Sequence, residues 1–333
     1  MVRKKTNKNG FARKRYEEKQ KAEKYLTVFT LKFLFAAIFT IIPLSLLPED
    51  WYAPLNRLTA FLSCEILKTF TPDTVLHGTH ISVGEFRVNV ISECSAVHLI
   101  ALLISFVFAF PSKLTEKLYA ICIGTLFLYT INIMRISLIT VIGCRIPDLF
   151  DIAHIYLGQL VMIILMICFS LYWCQRVSDA ANLESPVYFI FRFLFFSSIL
   201  LIIWLPLNRS FMAIVDYFVQ WFFTLINRPI VISHMHSIYF QTFSVISLAG
   251  LLMAFRKVEL SIRIRWIACG ILLLIVFQFL HRVSNALITA YHVERMVVFS
   301  RIIYNLCVYS IPVFFALKLF MHSRLAGIKP VSR

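Results

Sequence analysis

"VNVISECSAVHLIALLISFVF", residues 88–108, changes its period in the middle. Val88 and Val90 alternate with a polar neighbour, as one face of a strand does, whereas the residues after Ala96 form an apolar run of helical character. Glu93, Cys94, Ser95 and His98 stand at this junction. An acid, a thiol, a hydroxyl and an imidazole gathered where a helix opens are either packing or the mouth of a site, and the medium around the helix decides how costly they are.

Composition identifies that medium. Hydrophobic residues make up 59% of the 333, charged residues only 15%, and 32 residues are phenylalanine. Several apolar runs approach the roughly 20 residues that a spanning helix needs, which excludes a soluble globular chain. The reading is an all-α polytopic membrane protein with about eight transmembrane helices, at 25–47, 94–111, 118–141, 153–174, 187–206, 240–255, 266–284 and 297–320. The first run is longer than a signal-peptide core and has no small-residue cleavage site, so it is expected to be retained.

Charge orients the spans. Residues 1–24 hold ten Lys or Arg against three Glu, a basic tail expected on the cytoplasmic side. Its place beside a span makes membrane lipid, not nucleic acid, its partner. The connections "PSKLTEK" (111–117) and "FRKVELSIRIR" (255–265) and the C-terminal stretch 318–333 are basic and fall inside. Segment 48–93, with six acids and three bases, falls outside. Both termini are then cytoplasmic, in a cell (inner) membrane.

The outer segment carries structure of its own. Leu58, Phe61, Leu62, Ile66 and Phe70 recur at helical spacing within Arg57–Thr71, as in a short extracytoplasmic amphipathic helix lying in the interface. "THISV", the turn "GE" and "FRVNVIS" then read as a β-hairpin that delivers the chain to Cys94 ahead of the second span. "PLNR" at 54–57 recurs at 206–209, and "VIS" at 90–92 recurs at 245–247. These pairs suggest a decayed internal duplication in which Ala249 takes the place of Cys94.

Two further polar residues reach the same depth as Cys94. Arg135, in "TINIMRISLI" (130–139), lies late in the third span, with Asn132 one turn earlier. His154, in "DIAHIYLGQLV" (151–161), opens the fourth. Alternating span directions bring the thiol, the guanidinium and the imidazole to one outer level, which is the equipment for acyl transfer through cysteine. A thiol needs a nearby cation or imidazole, or the positive end of a helix, to become a thiolate. His154 suits a proton carrier and Arg135 a donor to an oxyanion, with Glu93, Ser95, His98 and Asn132 as supporting groups.

Alternatives remain at this level. His98, one turn beyond Cys94, is a second candidate base, and the two are also a weak metal pair that only His234 and His236 could join; no metal or cofactor is expected. Most other cysteines fall within spans, but Cys64 and Cys144 lie outside, and a bridge between them or to Cys94 is left open. A multi-span transporter, or a polyprenyl-linked glycan polymerase or transferase, would leave Cys94 idle.

"ECSAV" opening a span, "NIMRIS" late in the next and "AHIYLGQ" opening the one after resemble the three signature blocks of the exosortase and archaeosortase family of membrane-embedded cysteine enzymes. The resemblance covers roughly residues 55–175. It implies a catalytic Cys94, Arg135 and His154 in a transmembrane domain at 25–182, with 183–333 as a second transmembrane half. It implies a cysteine protease or transpeptidase cleaving secreted proteins on the outer face through a thioester. Their C-terminal signal is a short motif, a transmembrane helix and a basic end, and a lipid or glycan is a candidate acceptor. One position departs: where the family usually has glycine two residues after the cysteine, this chain has Ala96.

Overall fold

The computed structural model of the protein describes residues 3–177, 185–232 and 240–326. Helix α1 (Arg3–Leu46) carries the basic tail without a break into the first span. Phe29, Phe33, Ala37 and Ile41, each four residues apart, are buried, while Phe35 and Phe39 are exposed. One stripe therefore packs on protein and the rest is left for lipid.

Helix α2 (Glu49–Lys68) begins earlier than the amphipathic pattern suggests. Its buried face is small and polar, with Thr59, Ala60, Ser63 and Cys64, and its exposed face carries Leu58 and Phe61. The polar face makes the tertiary bonds: Thr59 Oγ1 lies 3.1 Å from the Tyr129 hydroxyl, and Ser137 Oγ donates to the Ser63 carbonyl at 3.2 Å. A three-stranded antiparallel sheet follows, β1 (Thr74–His77), β2 (His80–Val83) and β3 (Phe86–Asn89), in the order β1-β2-β3. Val83 pairs with Phe86 across a turn in which Gly84 takes φ 58°, a conformation that costs a residue without Cβ little. Strand β1 has no counterpart in the sequence reading.

The first half continues with α3 (Val97–Ala109), α4 (Leu114–Arg145), α5 (Phe150–Ile155), a π-helical turn (Tyr156–Val161) and α6 (Met162–Val177). The second half comprises α7 (Pro186–Leu225), α8 (Ser244–Ala254), α9 (Leu260–Tyr291), α10 (Arg295–Asn305), a second π-helical turn (Leu306–Ser310) and α11 (Ile311–Ala326). Among the described residues, five helical stretches are long and apolar enough to cross a membrane: Lys24–Leu46, Leu114–Arg145, Val187–Leu225, Leu260–Tyr291 and Arg295–His322. The apolar helices α3, α6 and α8 are shorter, at 13, 16 and 11 residues.

Two boundaries differ from the sequence reading. The helix holding the fifth span does not stop at 206; α7 runs through Pro206 to Leu225. The eighth is divided at 306–310 by the π-helical turn. The shorter helices α3 and α8 are mostly buried, whereas α7 and α9 expose Phe191, Phe195, Leu272 and Val276. One apolar core joins both halves, with the Phe33 ring of α1 stacked on Phe314 of α11 at 6.3 Å.

Candidate functional site

Cys94 ends a single 3-10 turn, Ser92–Cys94, whose N–H groups fold back on the chain. Cys94 N–H donates to the Ile91 carbonyl at 2.9 Å, and Ser95 donates to the Ser92 carbonyl through N–H at 3.1 Å and Oγ at 2.6 Å. Ala96 then takes φ 59° and ψ 6°, and α3 starts at Val97. The thiol is thus carried on a tight reversal just ahead of the helix, not on the helix itself. Glu93 occupies the middle of the turn; its side chain lies outside the described part of the protein.

Two side chains hold this turn. The Glu49 carboxylate, at the start of α2, accepts the Ser92 N–H and the Ser92 hydroxyl, each at 2.9 Å. From the other side, the fully buried Asn132 donates through Nδ2 to the Cys94 carbonyl at 2.6 Å. Glu49 has no signal in the sequence beyond being an acid in a helix's first turn, since its partner lies 43 residues away.

Arg135 extends from the same helix as Asn132 and donates through Nη1 to the Gly158 carbonyl at 3.1 Å. Gly158 sits in the first π-helical turn, an irregularity found mostly at functional sites. Arg135 Nε is buried without an acceptor, so the guanidinium keeps an unused donor. His154 lies on α5, ahead of the apolar helix α6, half-buried, with its ring 5.6 Å from Phe150.

Cys94, Arg135 and His154 line one cavity of about 700 Å³. Arg87, Val88 and Asn89, of β3, also line it. The opposite wall belongs to the second half: His281 and Asn285 of α9, and Ser300, Arg301 and Tyr304 of α10. Three arginines and two histidines line the cavity, with no Asp or Glu among the described lining residues. Arg301 also donates to the Leu47 carbonyl at 3.1 Å, and Ser300 Oγ to Asn285 Oδ1 at 2.7 Å. These second-half groups are absent from the sequence reading, although His281 and Asn285 are one turn apart; the neighbouring Arg282 turns to Asp216 instead.

His98 is placed elsewhere. It is 6% exposed, stacks on Tyr309, and its Nε2 accepts from the Asn305 side-chain amide at 2.9 Å, an amide that also donates to Ser45 Oγ at 3.1 Å. An imidazole nitrogen committed in this way is a structural link between α3 and α10 and a poor base for Cys94. All eight cysteines are free thiols. Among the described residues no group of three or more His, Cys, Asp or Glu gathers as metal ligands; His234 and His236 lie outside them.

Residues 23–173 match the model of the transmembrane exosortase family (Exosortase_EpsH). Over those residues the chain is similar to that family, which supports the resemblance carried by the three blocks. The match takes in the first span as well as the three blocks, and it stops before the second half. No curated protein and no solved structure matches the chain.

Proposed function

We propose that this multi-pass membrane protein is a cysteine endopeptidase or transpeptidase. Its substrates are secreted proteins bearing a C-terminal sorting signal. The observation that supports this reading is the meeting of Cys94, Arg135 and His154, from three separate elements, on one cavity. In this reading eight helices cross the membrane, both termini are cytoplasmic and the cavity opens at the outer face.

The groups have distinct roles. His154 takes the Cys94 proton, and the thiolate adds to the scissile carbonyl. Arg135, which lines the same cavity, steadies the oxyanion. As the C–N bond breaks, the imidazolium returns its proton to the leaving amine, and the acyl group remains on Cys94 as a thioester. Water or an amine acceptor then releases it. The hairpin side of the cavity gives an extended peptide access, while the apolar helices around the cavity suit the signal's own transmembrane helix.

The test is made in cells that produce the protein. With Cys94→Ala, and with Arg135→Lys, membrane fractions should accumulate full-length proteins that retain the motif, the span and the basic end, detected by mass spectrometry of C-terminal peptides. Lysine offers a point charge where arginine offers a fork of donors, so it is not expected to substitute. Unchanged processing in Cys94→Ala would sink the reading and favour a transporter or glycan-transfer role, neither of which uses the thiol.

A further inference from the structure

We propose that His281, on the second-half wall of the cavity, is the base that activates the water or amine resolving the Cys94 acyl-enzyme. This rests on the thiol chemistry proposed above and gives the second half a part in it.

The argument starts from two glycines. A Cβ at Gly124 of α4 would come within 2.5 Å of Leu103 on α3, and a Cβ at Gly270 of α9 would come within 2.5 Å of Leu248 on α8. The glycines are 146 residues apart and the leucines 145. Helices α4 and α9 are both 32 residues long, and α6 and α11 are the apolar helices that follow them. Each of the latter follows a π-helical turn. The neighbours also correspond: α3 touches α1, α4 and α6, as α8 touches α7, α9 and α11. Two parallel repeats explain this pattern, since both halves start from the same side of the membrane in the proposed topology.

The register that these contacts set differs from the one suggested by "PLNR" and "VIS". It moves the counterpart of Cys94 from Ala249 to the 3-10 turn Phe240–Phe243. On α9 it aligns Asn132 with Gln278, both buried, and Arg135 with His281. The second half therefore has no thiol at the corresponding turn but presents an imidazole where the first presents a guanidinium, and both line the same cavity.

His281 is equipped for proton transfer. Its Nδ1 is buried and makes no hydrogen bond, and its ring lies 5.9 Å from that of Tyr304. Without a carboxylate among the described lining residues, the imidazole of His281 is the plainest proton acceptor on that wall. As an incoming O–H or N–H nucleophile adds to the thioester carbonyl, His281 takes its proton. Collapse of the tetrahedral intermediate breaks the C–S bond and expels Cys94 as thiolate. The proton passes from His281 through solvent to the thiolate, so the thiol is regenerated with no change of oxidation state.

The experiment uses the purified full-length protein and para-nitrophenyl acetate as acyl donor. A burst of nitrophenolate that Cys94→Ala lacks reports acylation of Cys94, and the steady rate after it reports resolution by water or by added glycinamide. His281→Gln should keep the burst and slow resolution by about 10²–10⁴-fold, the usual worth of a positioned base. The acetylated protein should then persist in intact-mass spectra. A normal burst with unchanged resolution overturns this proposal alone. Loss of the burst in His281→Gln and also in His281→Asn would assign the residue to packing and overturn it too. If the unsubstituted protein shows no Cys94-dependent burst, the thiol reading falls and takes this one with it.

Discussion

The side-chain amide of Asn132 donates to the main-chain oxygen of Cys94 at 2.6 Å, while Arg135, on the next turn of the same helix, donates to the carbonyl of Gly158. One face of α4 thus clamps the cysteine turn and the π-helical turn that follows His154. Asn132→Ala removes the donor and leaves a carbonyl short of a partner, at a cost of about 1–3 kcal/mol. The thermal midpoint should fall. The acylation burst from Cys94 should fall about tenfold or more, because small displacements of a nucleophile are expensive in rate. An unaffected burst would mean that the turn holds its shape without Asn132.

Ala96 adopts φ 59°, in the left-handed region that costs an L-residue about 1–2 kcal/mol. This is the position where the family resemblance leads one to expect glycine, and the backbone supplies the reason. Ala96→Gly relieves the strain but adds freedom to the unfolded chain worth about 0.5–1 kcal/mol, so the net gain should be at most about 1.5 kcal/mol. Thermal unfolding in detergent should show a small rise in midpoint for Ala96→Gly and a clear drop for Ala96→Val, whose branched Cβ suits that conformation worst. A lower midpoint for glycine would show that the Ala96 methyl contributes more by packing than it costs in strain.

Much of this was legible in the chain. The membrane class followed from composition, and counting residues along spans whose directions alternate led to Cys94, Arg135 and His154, which line one cavity. The change of period marked the junction at Cys94, but the second span was read from 94, whereas a 3-10 turn carries Cys94 and α3 starts at Val97. Other features have no local signature. Pro206 reads as a stop, yet α7 passes through it, as helices in lipid can when neighbouring groups accommodate the missing bond. A π-helical turn shifts the apolar register by a single residue, which a sequence already apolar on most faces cannot display. His281 and Arg282 are adjacent, about 100° apart around the helix, and only the packing of α9 decides that the histidine faces the cavity and the arginine faces α7.

Gly143 is the pivot that sets the hairpin and α5 beside the site. A Cβ there would come within 2.2 Å of the Phe86 ring and 2.8 Å of the Phe150 ring, and those rings meet edge to face at 5.1 Å. Phe150 in turn stacks beside His154. Gly143→Ala should therefore overpack this corner by about 1–3 kcal/mol and displace His154. Gly158→Ala should be mild by comparison, since its Cβ would meet Arg135 Nη1 at an ordinary 3.6 Å. Measuring both variants for thermal midpoint and acylation burst checks the ranking; equal effects would contradict it.

The last prediction concerns Arg282, whose Nε and Nη2 donate to the two carboxylate oxygens of Asp216 at 2.6 and 2.7 Å. The Asp216 side chain is 1% exposed, so the pair ties α9 to α7 in a place where water cannot take over. Arg282→Gln withdraws the compensating charge from a buried carboxylate, and breaking such a pair costs about 3–5 kcal/mol. Membrane abundance and thermal midpoint should both fall. Exchanging both partners, as Arg282→Met with Asp216→Leu, removes the uncompensated charge and should recover most of the loss, because apolar replacements of a buried pair are often neutral. Arg282 does not line the cavity, so the acylation burst per folded molecule should stay at the unsubstituted level in Arg282→Gln. A variant of normal stability that loses the burst would instead place Arg282 in the chemistry, and with it the α7 face of the second half.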